Sequence, residues 1–228
     1  MKIIADKRIP VEALTKLAEY GKVIEFSTQD IAYESISCHP DIFFCQVLGQ
    51  LIIAPNLPEK YKTLLSGLDI PFTEGEFPVG YKHPETAGYN VVCTDTHLIH
   101  NFRYTDPIIS RAAEDLDLIH VNQGYSRCNI LALKDEHFIT SDASVFKTFN
   151  YLKKNVLYVD PKEILLPGKD HGFFGGACGI FENKVFIIGS LAKYREGEKV
   201  KAYLHNLNYE ITELYDGPLF DGGSLIFL

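Results

Sequence analysis

The last eight residues, Asp221 to Leu228 (DGGSLIFL), start a unit that the chain never finishes. A polar or small residue leads into one apolar strand, and nothing follows. Elsewhere the same opening continues into a tight turn, a second strand, a helix and a closing strand. Asp41 to Val47 and Leu51 to Ala54 flank a Gly49-Gln50 turn. Pro58 then opens a helix that turns Tyr61, Leu64, Leu65 and Leu68 inward, and Ile70 to Thr73 closes the unit. Asn90 to Thr94 and His97 to His100 repeat the hairpin. Asp106-Pro107 caps and starts a helix, and Leu118 to Val121 closes it. Asn129 to Leu133 and His137 to Thr140 come next, with a helix capped by Asp142 and the strand Val156 to Val159. The fourth copy spans Ile180-Phe181, Val185 to Ile188, a helix from Glu196 to Asn206, and Tyr209 to Leu214.

The missing half lies at the other terminus. Met1 to Ala5 reads as a strand, and Lys7 to Tyr20 as a helix with Pro10 in its first turn and Gly21 as its stop. Lys22 to Phe26 is its closing strand. The marker residues Asp41, Asn90, Asn129, Gly179 and Ser224 recur at intervals of roughly forty to fifty residues. The fold class predicted is α/β: a single domain over residues 1–228, built as a five-fold pseudo-symmetric ring of ββαβ units. Strand Ser224 to Leu228 closes it by pairing with Met1 to Ala5. One such unit is too small to bury its helix face alone, and closure removes exposed sheet edges. The competing fold is a plain parallel sheet with a nucleotide at its switch point. Against it, Gly172, Gly175, Gly176 and Gly179 lead into strands, whereas a phosphate loop leads into a helix.

Composition narrows the function classes. A net charge of −8 with no Lys/Arg cluster argues against a nucleic-acid partner. No apolar run is long enough for a span and no signal peptide opens the chain, which predicts no membrane partner and a cytoplasmic location. Five scattered cysteines, an odd number, predict reduced thiols. No metal or other cofactor is expected. Cys38 and His39 are adjacent and poorly placed to share one ion, and His97 and His100 fall on opposite faces of a strand. A Gly/Pro-rich loop runs from Glu74 to Gly88, and the stretch from Phe72 to Pro84 could serve as a lid over one ring end or as a mobile connector.

A ring of five ββαβ units resembles the pentein fold of the guanidino-group modifying enzymes: arginine deiminases, dimethylarginine dimethylaminohydrolases and amidinotransferases. A ribosome anti-association factor without enzymatic activity shares that fold. Three segments carry the local resemblance. HPDIFFCQV (His39 to Val47) resembles the segment that follows a Pro-Asp pair in the hydrolases. HGFFGGACGIFENKVFII, headed by His171, resembles the one that carries their catalytic histidine. DGGSLIFL resembles the strand that carries their nucleophilic cysteine.

In that chemistry a thiolate attacks the guanidinium carbon, a histidine manages protons and carboxylates hold the cation. The resemblance assigns the histidine role to His171. The nucleophile has no counterpart, because the last cysteine is Cys178 and Leu225 falls at the matching position. Where the hydrolases carry a Glu-Asp pair, this chain reads Phe44-Cys45-Gln46-Val47. Their acidic segment of the third unit is here Ser126-Arg127-Cys128-Asn129, and an arginine repels a cationic substrate. Cys128 and Cys178 are the substitute nucleophile candidates, with Arg127 beside Cys128 as a hint of a lowered thiol pKa. Ser224 lacks an identifiable base. The expectation is a divergent pentein, a pseudoenzyme candidate that binds an unidentified small molecule or protein partner at a ring mouth lined by Asp41, Asn90, Asn129, His171 and Asp221. The alternative is a Cys/His hydrolase or amidinotransferase-like enzyme acting on a guanidino or related C–N substrate.

Overall fold

Residues 1–228 are described by a computed structural model. β1 (Lys2–Asp6), α1 (Val11–Ala18) and β2 (Lys22–Phe26) open the chain. β3 (Phe44–Val47), β4 (Gln50–Ile53), α2 (Glu59–Gly67) and β5 (Thr73–Glu74) follow, then β6 (Val92–Cys93), β7 (His97–His100), α3 (Pro107–Ala112) and β8 (Asp117–His120). The next group begins with a short helix, α4 (Ser126–Asn129), before β9 (Ile130–Ala132), β10 (His137–Thr140), α5 (Ala143–Tyr151) and β11 (Asn155–Tyr158). The last elements are β12 (Cys178–Phe181), β13 (Lys184–Ile187), α6 (Gly197–Asn206), β14 (Glu210–Glu213) and β15 (Ile226–Phe227).

The fold is mixed α/β, with five three-stranded sheets of one design. In each, a hairpin strand runs antiparallel to the middle strand, and a helical crossover returns the chain parallel to it. The fifth sheet draws on both termini. β15 pairs antiparallel with β1, Ile3 opposite Phe227 and Ile4 opposite Ile226, and β1 pairs parallel with β2. Lys2 and Leu228 exchange both backbone hydrogen bonds at 2.9 Å.

Burial follows strand position. The middle strands β4, β7, β10 and β13 are buried almost throughout, as strands covered on both faces must be, whereas β5 and β8 are largely exposed. Each of four helices buries an i, i+4 pair: Tyr61 and Leu65, Val145 and Phe149, Val200 and Leu204, and in α1 Ala13 and Leu17, where Val11 of the expected apolar stripe is instead 68% exposed. Phe26 packs against Phe43, Phe44 and Tyr61 at ring-centroid distances of 5.4, 5.2 and 4.8 Å, joining β2 to the next unit.

Several boundaries differ from the sequence reading. The first helix begins at Val11, because Asp6 accepts the Arg8 backbone N–H at 2.7 Å and holds Lys7 to Pro10 as a turn. Gly21 is not a left-handed stop. It lies so close to the Met1 carbonyl that a Cβ would sit 2.5 Å from the oxygen. Asp41 and Asn129 do not start strands. They belong to single helical turns, Pro40–Ile42 and Ser126–Asn129, and Gly175–Ala177 makes a third. The long loop is fixed to the body. Asp106 caps α3 through Ile108 N–H and also accepts the N–H groups of Glu76 and Phe77 at 2.8 Å, while Asn56 brackets Val79.

Candidate functional site

Helical turns ahead of the first strands carry polar side chains toward one another. The Pro40–Ile42 turn presents Asp41, fully buried, with His39 just before it. α4 presents Cys128, whose Sγ donates to Asp41 Oδ2 at 2.9 Å. Ser224 Oγ donates to the same oxygen at 3.0 Å, leaving Asp41 Oδ1 with no partner. Asn90 locks the pair in place: its Oδ1 accepts the Cys128 N–H at 3.1 Å, and its Nδ2 lies 3.4 Å from Cys128 Sγ.

Asp221 enters from the C-terminal segment. Its backbone N–H donates to Leu165 O at 2.8 Å, and Leu165 bridges Phe220 in parallel. That pairing lays the chain from Leu166 to Phe173 beside Asp221, whose Oδ2 accepts Phe173 N–H at 2.8 Å and whose Oδ1 accepts Gly223 N–H at 3.0 Å. Gly172 and Gly176 both pack directly on the Asp221 carboxylate side chain, in space that a Cβ would fill. Here the glycine-rich entry serves close approach.

These groups meet in a cavity of about 270 Å³. Cys128, His39 and Asp221 supply its polar surface; Tyr33, Tyr125 and Phe173 are aromatic walls, and Ile36, Ile42 and Leu166 aliphatic ones. Lys169, Asp170 and His171 complete the lining, and Lys169 Nζ lies 4.8 Å from the Tyr33 ring centroid. His39 is 1% exposed, yet neither ring nitrogen has a hydrogen-bond partner. Its Nε2 stands 3.9 Å from Asp6 Oδ2 and 4.0 Å from Asp221 Oδ1. Asp6 is itself held by Arg8, whose Nη2 lies 2.7 Å from Asp6 Oδ2.

The electrostatics follow from burial. Loss of solvent pushes the Asp221 carboxyl up to about 6; His39 opposes the shift, and the neighbouring Asp41 carboxylate adds to it. Burial also drives the Cys128 thiol well above its ordinary range, reinforced by the Asp41 and Asp221 carboxylates. The hint drawn from Arg127 is therefore corrected. Arg127 lines a separate cavity of about 130 Å³ and does not offset the acids around Cys128.

Of the residues singled out in the sequence, Cys128, His171 and Asp221 line one cavity, with Asp41 and Asn90 directly beneath Cys128. Cys178 lines the smaller cavity with Arg127, and burial raises its thiol pKa as well. Asn129 braces Tyr125 by donating to its carbonyl at 3.1 Å and does not line the larger cavity. His171 makes no hydrogen bond to Cys128, and its Nδ1 is 2.9 Å from Gly172 O. No residue of the loop from Phe72 to Gly88 lines this cavity, though Tyr81 O accepts the N–H of Tyr33 and Thr86 Oγ1 lies 2.6 Å from the Tyr125 hydroxyl behind two of its walls.

Sequence reasoning missed His39 as a partner. It weighed His39 with Cys38, whereas the fold sets His39 beside Asp41 and Cys128, with one ligating atom of each within 4.8 Å of the others. The signal was the His-Pro-Asp tripeptide, where the proline turn carries both side chains to the same hairpin entrance. His97 and His100 are accounted for structurally. His97 contacts Thr96 and Lys154, and His100 contacts Thr105 and the Gly124 carbonyl.

Comparison with solved structures places this architecture. A dimethylarginine dimethylaminohydrolase variant from Pseudomonas aeruginosa, complexed with citrulline, matches with a TM-score of 0.55 and 9% identity, over 93% of this chain and 91% of that one. A C. jejuni agmatine deiminase variant with substrate bound matches with a TM-score of 0.58 and 9% identity, over 93% and 87%. An amidinotransferase from Microseira wollei in saxitoxin biosynthesis gives 0.52 and 10%, again over 93% and 87%. These likenesses give the chain the pentein fold. No curated protein matches the sequence. The model of a family of unknown function, DUF6873, matches residues 4–226, and the chain belongs to that family.

Proposed function

We propose that the five sheets close into one ring-shaped domain over residues 1–228, and that the cavity at its mouth binds a small molecule without the nucleophilic chemistry of the guanidino-group modifying enzymes. Contacts between successive units support the ring. Asn90 Nδ2 donates to Asp41 O, Arg127 N–H to Asn90 O, Phe174 N–H to Ser141 Oγ, Ser224 N–H to Gly176 O and Asp41 N–H to Gly223 O. The last of these links the end of the sequence back to its beginning.

The observation that carries the functional reading is Leu225. The sequence resemblance matches it to the hydrolases' nucleophile; it is 1% exposed and packs in one apolar cluster with Ile3, Ile188 and Leu214. No thiol can act from there. The cavity nevertheless keeps what a binding site needs: aromatic and aliphatic walls with a few convergent polar groups. Its size suits a compact metabolite on the scale of the citrulline held by the Pseudomonas hydrolase variant.

A second reading, a hydrolase acting through Cys128, draws on the shared cavity of Cys128, His39, His171 and Asp221. The acids around the thiol disfavour it, since a nucleophilic cysteine needs an electropositive setting. The two readings separate when arginine, agmatine and dimethylarginine are incubated with the protein and ammonia and citrulline are measured. Binding alone predicts no release above a protein-free blank. It also predicts a rise in Tm with at least one member of an amino-acid and ureido-compound panel, lost in Tyr125→Ala. Turnover abolished by Cys128→Ser would establish the second reading instead.

A further inference from the structure

We propose that His39, Asp41 and Cys128 form a binding site for a divalent transition metal, with Zn²⁺ the ion it suits best and one coordination position left open to the cavity. The inference stands whether or not an organic ligand also enters.

Two observations point to a ligand. Imidazole, carboxylate and thiol are gathered from two turns so that one ligating atom of each lies within 4.8 Å of the others. Within the same cluster, buried polar atoms lack partners: both ring nitrogens of His39, and Asp41 Oδ1. A buried polar group without a partner costs roughly 1–3 kcal/mol, and three such atoms on two neighbouring side chains are unusual in a folded core. A cation bound by one His39 nitrogen and Asp41 Oδ1 satisfies two of them at once. Ligand bonds of ~2.0–2.3 Å to N, O and S fit within that triangle after small side-chain adjustment.

The donor set selects the ion. A thiolate and an imidazole disfavour Mg²⁺ and Ca²⁺, which take oxygen ligands, and suit Zn²⁺. Three protein ligands leave a tetrahedral ion one position, and because His39 and Cys128 line the cavity that position faces it.

The surrounding hydrogen bonds are those a metal site requires. Asn90 Nδ2, 3.4 Å from Cys128 Sγ, is a donor suited to a thiolate. Ser224 Oγ holds Asp41 Oδ2, which leaves Oδ1 for the ion. Asp6, anchored by Arg8, flanks the His39 ring as a carboxylate partner for its second nitrogen. On binding, the Cys128 S–H bond breaks, an S–metal bond forms and the proton leaves to solvent, so one positive charge is added net to a buried acidic cluster.

The test uses the full chain, stripped with chelator and titrated with Co²⁺ alone. One equivalent should produce the visible bands of four-coordinate cobalt and a near-ultraviolet thiolate-to-cobalt band, with Zn²⁺ displacing it. Cys128→Ser should lose the near-ultraviolet band, His39→Gln should weaken binding by about tenfold or more, and Cys178→Ala should keep both features. Absence of the thiolate band in the unmodified chain, or its survival in Cys128→Ser, would overturn the proposal. Should a variant fail to fold, Zn²⁺ protection of thiols in the unmodified chain decides: protection mapping to Cys128 supports the site, and protection elsewhere or nowhere overturns it.

Discussion

Cys128 Sγ donates to Asp41 Oδ2 at 2.9 Å, across 87 positions of sequence. Asp41 serves two donors at once, since Ser224 Oγ reaches the same oxygen at 3.0 Å. One carboxylate therefore joins three units, those entered at Asp41, Asn129 and Ser224. Replacing it with alanine leaves a buried thiol and a buried hydroxyl without their shared acceptor. Asp41→Ala is expected to lose about 2–4 kcal/mol of stability, read from denaturant midpoints at constant m. Cys128→Ser keeps a donor facing Asp41 and is expected to lose about 1 kcal/mol or less.

Asp221 makes stability depend on pH. Burial raises its carboxyl to about 6 in the folded chain, against about 3.9 for an unperturbed aspartate. Between those values the folded state holds a proton that the unfolded state has released, so stability falls as pH rises from about 4 to 6. The full effect is on the order of 3 kcal/mol. Asp221→Asn removes the titration and should flatten that part of the profile, even if its amide fits less well against the Phe173 and Gly223 N–H groups. Denaturation curves at several pH values measure the slope, and an unchanged slope in the variant would contradict the assignment.

The join between the termini should be as essential as any core strand. Ile226 is fully buried opposite Ile4, and Gln46 Nε2 donates to Phe227 O at 2.8 Å, tying β15 to β3. Ile226→Asp places a carboxylate in that core and is expected to cost about 4 kcal/mol or more. Loss of cooperative unfolding would be the direct readout. A variant as stable as the parent would show that the join is dispensable.

The repeat was legible because each unit writes its hairpin with short apolar runs and its helix with an i, i+4 stripe, and these patterns are local. Asp106 and Asp142 could be recognised as caps for the same reason: each bonds N–H groups two or three residues ahead. The site was legible only in part. Cys128 and Asp221 stood out through resemblance and position. Their meeting with Asp41 depends on how neighbouring units pack, which no local pattern records. His39 was passed over because its sequence neighbour, Cys38, is not its spatial partner. Nothing local in the sequence marks the helical turns that hold Asp41 and Asn129 ahead of their strands.

The most direct test of the cavity as a binding site, and not a nucleophile's, is the reactivity of its thiol. Metal-free protein is labelled with iodoacetamide at pH 6, and the modified cysteines are mapped by peptide analysis. Cys128 is buried beside two carboxylates that hold it as the neutral thiol, so it should react no faster than a free cysteine under the same conditions. Labelling of Cys128 well ahead of that free thiol would mean a stabilised thiolate, and would contradict the reading of this cavity as non-nucleophilic.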